Sequence, residues 1–204
     1  SACRNAGIRL ATGTYVGFVD SDDFVKPEMF GTLCAAASEF DCDIATCGYA
    51  TVREDGTAHL AASPPFGAGH RTTPAEMTEL LTRGHASRLL WFAGRNVYRR
   101  QMLLETRTLF DESVRYGEDA LFNIQAFHHA RATVAIDERL YHVQENPESL
   151  TRLKVKHRFE ESLVECYRQK LECITRFGLG EGALQDLAMY VTYHQMPMLL
   201  SNAL

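Results

Sequence analysis

The sequence predicts an α/β domain with a helical C-terminal appendage. A β-branched and aromatic run, Tyr15 to Val19, is followed by a helical pattern and then by a second apolar run, "DIATCGYATV". The C-terminal part instead carries apolar residues at helical spacing, in two stretches parted by "GLGEG".

In order, residues 3–11 read as a short helix closed by Gly13, and Tyr15 to Val19 as a central strand. Pro27 suits the first turn of a helix that runs to about Phe40. A strand follows from Asp43, then a turn at "EDGT" and a short strand near 58–62. "SPPFGAGHRTT" (63–73) reads as a loop. "TTPAEMTELL" then restarts a helix with Thr73 as cap, Pro74 in the first turn and Glu76 completing a capping box. Next come a mixed stretch over 87–104, a helix from about 118 to 130, and strands near 132–136 and 139–143. Helices over roughly 154–177 and 182–203 end the chain. The stripe Phe159, Leu163, Cys166, Tyr167, Leu171 and Ile174 faces a core. "MYVTYHQMPMLL" is expected to pack internally, with a partner helix or a membrane surface as alternatives.

The chain has 204 residues, 46% of them hydrophobic, and a formal net charge of −5. That supports one substantial core and excludes a strongly basic nucleic-acid groove. Six cysteines without a C-x-x-C pair read as buried free thiols of a reducing compartment. With no apolar run of ~18 residues, neither a membrane-spanning helix nor a signal peptide is expected.

Asp20-Ser21-Asp22-Asp23 follows the first strand, and in extended backbone Asp20 and Asp22 share one side. Two carboxylates ~6 Å apart repel by about 3 kcal/mol at an effective dielectric of 20. A bound Mg²⁺ or Mn²⁺ reverses that sign and leaves positions for water or phosphate oxygens. Alone, the motif reads equally as an acidic turn with Asp23 capping the next helix.

The context is "RNAGIRLATGTYVGFVDSDDFVKPEMF", which closely resembles the core of the family 2 glycosyltransferases, inverting enzymes of the glycosyltransferase A fold with its mixed, Rossmann-like sheet. Arg4, Asn5, Gly7, Ala11, Gly13, Tyr15, Asp20, Ser21, Asp22, Asp23 and Pro27 all match the family pattern. The resemblance resumes at "FDESVRYGEDALFN" and again at "IDERLYHVQENPESLT". It implies residues 1–151 as a partial catalytic domain and 152–204 as a helical extension. Because the chain opens inside the pattern, it also implies about two preceding βα units, each of roughly 30 residues or more, that carry part of the nucleotide pocket.

By resemblance, Asp22 is the principal ligand of an Mn²⁺ or Mg²⁺ ion that bridges the donor's phosphates. Asp20 contacts the ribose or that metal, and Asp23 supports them or caps a helix. Glu118-Asp119 match the family's E-D pair, whose Asp is the catalytic base, although two acids at a helix N-terminus also suit the dipole. Arg4 contacts the nucleotide-sugar or forms a surface ion pair. Ser149 and Thr151 match a segment over the diphosphate. His142 is either a further metal ligand or a packed strand residue. Tyr141-His142-Val143-Gln144 lacks the Arg frequent in relatives, leaving Arg139 or Arg152 as substitutes. Asn96, after Arg95, stands where relatives often carry Lys. Trp91 stacks on a sugar or joins the core.

The implied activity is inverting transfer from a nucleotide-diphosphate sugar, with UDP as the implied donor nucleotide, to a glycan, cell-surface polysaccharide or lipid-linked acceptor. The implied place is the cytoplasm, at the inner face of the membrane, with the C-terminal helices offering a membrane or homo-oligomer contact. A nucleotidyltransferase would need a Gly-rich phosphate loop or a basic signature near the N-terminus, and neither is visible. A non-catalytic binding module is the remaining alternative.

Overall fold

A computed structural model of the chain describes residues 1–53, 55–145 and 159–203. The elements are α1 (Ala2–Leu10), β1 (Tyr15–Gly17), β2 (Phe24–Val25), α2 (Met29–Glu39), β3 (Ile44–Val52), β4 (Ala58–Ala62), β5 (Arg71–Thr72) and α3 (Pro74–Leu81). They continue as β6 (Asn96–Arg99), α4 (Arg100–Glu105), α5 (Glu118–His129), β7 (Thr133–Gln144), α6 (Phe159–Arg176) and α7 (Gly180–Tyr190). A π-helical turn (Val191–Gln195) then leads into α8 (Met196–Ala203).

The strands form one mixed sheet in the order β1-β6-β3-β7-β2, with β4 added to β3 and β5 to β7. Only β3 and β7 are parallel among the described strands. Buried on both faces, β3 reads as a nearly continuous apolar run, as a central strand should. On one face, Met29, Leu33 and Ala37 of α2 pack against Ala45, Val97, Val134 and Leu140. On the other, α1, α3, α5, α6 and α7 share a larger core around Phe18, Tyr98, Phe110, Phe122 and Phe127. Phe110 and Phe122 stack with centroids 4.0 Å apart. The expected stripe of α6 does face inward: Phe159, Leu163, Cys166 and Ile174 are buried. All six cysteines are free.

Local signals placed α3 well, and its capping box is present, with Thr73 Oγ1 accepting from the Glu76 amide. Several expectations need correction. β1 ends at Gly17 and lies at one end of the strand order rather than in its middle. Its neighbour Phe18 turns into the core and Val19 is 44% exposed. Pro27 precedes α2, whose cap position is Glu28. The supposed loop 63–73 contains β5 and a bridge from Ala68 to Ala135. The two strands expected near 132–143 are one, β7, whose exposed middle (Asp137 to Arg139) crosses an irregular register opposite Gly48. "MYVTYHQMPMLL" packs internally only in part: Val191 lies against the larger core and Met198 and Leu199 against Tyr116, Phe159 and Leu163, whereas Met189, Tyr193 and Met196 are exposed. Among the described residues no helix is long and apolar enough to cross a membrane.

Candidate active site

Gly117 precedes α5 with φ 83°, a conformation that disfavours side chains, and a Cβ there would lie 3.0 Å from the Cys166 sulfur. Glu118 and Asp119 then form the first turn of α5, where unpaired amides favour acids. Buried polar contacts fix this helix. The Asn123 side-chain amide donates to the Leu90 carbonyl (3.0 Å), and its oxygen accepts from the Tyr98 hydroxyl (2.6 Å). Asn96 in turn donates to that hydroxyl at 2.7 Å. Ala93, on the intervening loop, gives its amide proton to Asp119 Oδ2 at 3.0 Å.

Opposite α5, Asn5 anchors α1 by a two-way pair with the Phe110 backbone (2.8 and 2.9 Å). Arg4 is thereby turned toward the N-terminus of α5. Its Nη1 donates to Asp119 Oδ1 at 2.6 Å and lies 3.6 Å from Glu118, while Nη2 pairs with Asp20. One guanidinium thus gathers three carboxylates from two distant parts of the sequence.

Burial disfavours charge on Arg4, yet Asp119, Asp20 and Glu118 together raise its affinity for its proton. Burial and the neighbouring Asp119 charge push the Glu118 carboxyl up to about 7, against the pull of Arg4. Asp119 is likewise raised, chiefly by burial, with Arg4 and the Ala93 amide opposing. Both carboxyls are therefore stronger bases than free ones.

The Asp20–Asp23 turn is closed by the Asp23 amide donating to the Asp20 carbonyl at 3.0 Å. Asp23 caps no helix. Its carboxylate accepts from the Tyr141 hydroxyl (2.6 Å) and the Gln144 amide (3.0 Å), which fastens the turn to β7. The Tyr141 hydroxyl also accepts from the Asp20 amide at 3.3 Å. Gly94 makes room for this, since a Cβ there would stand 2.5 Å from the Tyr141 ring. Burial pushes the Asp23 carboxyl up to about 6 despite those two bonds. Asp22 is exposed at the tip of the turn.

The remaining candidates are dispersed. The His142 ring stacks on Phe24 at 4.8 Å, and no group of three metal-ligating side chains forms among the described residues. Ser149, Thr151 and Arg152 lie outside the described residues. Arg139 is exposed. Arg95 and Asn96 are wholly buried and hold backbone carbonyls: Arg95 those of Arg88 and Leu89, Asn96 that of Phe92. Trp91 is half-buried and donates its indole N–H to the His85 carbonyl at 3.1 Å. An open groove of about 520 Å³ runs between α1 and β1 and reaches Arg4.

Sequence reasoning missed Asn5 as an anchor, the Ala93 amide, Gly94, and Tyr141 as the tie between turn and sheet. Only the motif matches at Asn5 and Tyr141 hinted at them.

Known proteins resemble this chain along its whole length. An uncharacterized glycosyltransferase of Bacillus subtilis, EpsJ, is 39% identical over 203 residues, covering 100% of this chain and 58% of that protein. Another of Escherichia coli, YibD, is 28% identical, covering 96% of this chain and 56% of that protein. The chain thus spans a little over half the length of these relatives. Among solved structures, Staphylococcus aureus TarS 1–349 in complex with UDP-GlcNAc superposes with a TM-score of 0.67 at 20% identity, over 95% of this chain and 53% of that one. A second crystal structure of TarS 1–349 gives 0.66 at 19% identity, over 95% of this chain and 51% of that one. That likeness shows the shared fold. The family model described as "Glycosyl transferase family 2" matches residues 1–104, and the chain belongs to that family of glycosyltransferases.

Proposed function

We propose that the Arg4 cluster is the reaction centre of an inverting glycosyl transfer from a UDP-linked sugar to a glycan or lipid-linked acceptor. The observation that carries this is the meeting of Asp20, Glu118 and Asp119 on one guanidinium, at the end of an open groove. Asp119 accepts the proton of the acceptor hydroxyl as its oxygen attacks the anomeric carbon. The bond to the diphosphate breaks with its electron pair going to the phosphate oxygen, and a single displacement inverts the configuration. Glu118 tunes Asp119 by like charge, and Arg4 keeps both ionisable while facing the departing diphosphate. The UDP-GlcNAc and UDP complexes of the structural neighbours support this donor class.

The donor set fits a hard divalent cation. Asp22 is exposed and Asp20 faces Arg4, and Mg²⁺ or Mn²⁺ commonly binds one or two carboxylates with phosphate oxygens and water completing the shell. Asp22 would hold it, with Asp20 beside it, and the ion would neutralise charge on the diphosphate. His142, stacked on Phe24, is the weaker ligand candidate. Residues 1–151 form the catalytic part in this reading, and 152–204 the helical extension. It places the enzyme in the cytoplasm at the inner face of the membrane, in polysaccharide biosynthesis, its C-terminal helices turned to that surface or to a second copy.

Calorimetry with UDP, with and without Mn²⁺, tests the donor site: binding that requires the metal is expected. In the full-length protein, UDP binding that is absent or indifferent to metal would remove this reading. NMR of the product's anomeric proton tests inversion.

A further inference from the structure

A second concavity, of about 290 Å³, lies between the loop after α3 and the end of α7, lined by His85, Asp186, Met189, Tyr190, Tyr193 and His194. Asp186 builds it, its carboxylate accepting from the amides of His85 (2.8 Å) and Ala86 (3.0 Å) across about a hundred residues of sequence. That carboxylate is therefore engaged. The His85 ring stacks on Tyr190 at 4.3 Å, and Tyr190 on His194 at 5.3 Å. Trp91 meets His194 edge-on at 5.7 Å. The π-helical turn that carries Tyr193 and His194 is a departure from α geometry of a kind concentrated at functional sites. His85 is 5% exposed, and its Nδ1 has no hydrogen-bond partner among the described residues.

Two features give this cleft a use. It is linked to the reaction centre by one short segment, because Trp91, edge-on to His194 at 5.7 Å, begins the Trp91-Phe92-Ala93 stretch whose last amide binds Asp119 at 3.0 Å. Its lining is aromatic with polar edges and has no unengaged carboxylate, which suits a neutral polyhydroxylated ring better than an ion or an alkyl chain. The exposed ring of Tyr193 offers an apolar face to C–H groups, while the tyrosine hydroxyls and histidine ring nitrogens at the edges of the stacked row meet hydroxyls. Tyr193 and Met189 are 66% and 56% exposed, so the cleft opens outward.

We propose that this cleft is a saccharide subsite, holding a sugar unit of the acceptor glycan next to the unit whose hydroxyl faces Asp119. The proposal rests on the glycosyl-transfer reading above. Acceptors with more than one sugar unit then bind more tightly than single sugars, through contacts remote from the chemistry.

Trp91 is the single tryptophan of the chain and reports on this row of rings. Its fluorescence is titrated with N-acetylchitotriose, cellotriose and maltotriose, and UDP binding is measured separately by calorimetry. At least one trisaccharide is expected to give a saturable change. Tyr193→Ala and His194→Ala, both at exposed positions, should each weaken that binding about fivefold, the scale of one lost aromatic contact, with melting temperature unchanged. The proposal is overturned if calorimetry and fluorescence find no trisaccharide binding to the wild type, or if both variants bind as the wild type does. It is also overturned if sedimentation shows a dimer that Tyr193→Ala dissociates, which would make the cleft a contact between copies. Failure of UDP to bind would strike the transfer reading alone, because the trisaccharide titration does not depend on it.

Discussion

Two clusters of carboxylate and guanidinium groups stand at opposite ends of β1 and β6, and they are built in opposite ways. At one end, Asp43 is 1% exposed and faces two cations. Its Oδ1 accepts from Arg99 (2.7 Å) and Arg131 (2.9 Å), and its Oδ2 from the Arg131 amide and Nε (2.9 and 3.1 Å). Burial works against the Asp43 carboxylate, but the bonds from Arg131 and Arg99 hold it below the usual range. At the other end one guanidinium serves three carboxylates, and Glu118 and Asp119 are pushed up. A buried charge that is fully matched fastens a sheet. A buried surplus of like charge costs stability, and it is tolerated where a proton or a cation is to be received.

The sharpest way to break this contrast is Asp43→Asn. It leaves Arg99 and Arg131 facing an amide and should cost about 3–5 kcal/mol in a urea melt, the usual range for breaking a buried pair. Loss of less than about 1 kcal/mol would show that the cluster is ornamental. Next is Glu118→Gln. A carboxyl raised in the folded state contributes stability below its unfolded value, near 4.5, and loses it as pH rises through about 7. The variant should therefore match the wild type at pH 4 and exceed it at pH 8 by something on the order of 1–3 kcal/mol. Asp43 predicts the reverse slope, since its contribution is present above the unfolded value and fades as pH falls. A Glu118→Gln variant less stable than wild type at pH 8 would refute the surplus. The smallest effect belongs to Tyr141→Phe, which removes one donor from Asp23 and should cost about 1–2 kcal/mol while weakening metal-dependent UDP binding. Unchanged UDP affinity would separate the turn's anchor from donor binding.

Much of the second cluster was legible because its parts are local. "DSDD", "GEDALF" and "ARN" each sit within a few residues, at the end of a strand or the start of a helix. Their convergence was implied only by resemblance, and Arg4 supplies its physical form. What escaped were contacts of long sequence separation with no local signature. Asn5 reaches Phe110, Tyr141 reaches Asp23, and Asp43 reaches Arg131. Asp43 itself read simply as the polar start of a strand. The same limit applies to the fold. The capping box of α3 is written in consecutive residues, whereas β7 looked like two strands because Asp137 to Arg139 resemble a turn. Gly48, where a Cβ would stand 2.9 Å from the Ala62 carbonyl, lets the neighbouring strand accommodate that stretch, and nothing near Asp137 announces it.

The most direct test is Asp119→Asn in the full-length protein, read for turnover, UDP affinity and melting temperature together. Removing the base while keeping the shape should lower transfer by about 10²–10⁴-fold. Metal-dependent UDP binding should persist, and stability at neutral pH should hold or rise, since one of three crowded carboxylates is gone. Transfer within twofold of the wild type, or a collapse in stability like that expected of Asp43→Asn, would contradict the assignment of the Arg4 cluster as the reaction centre.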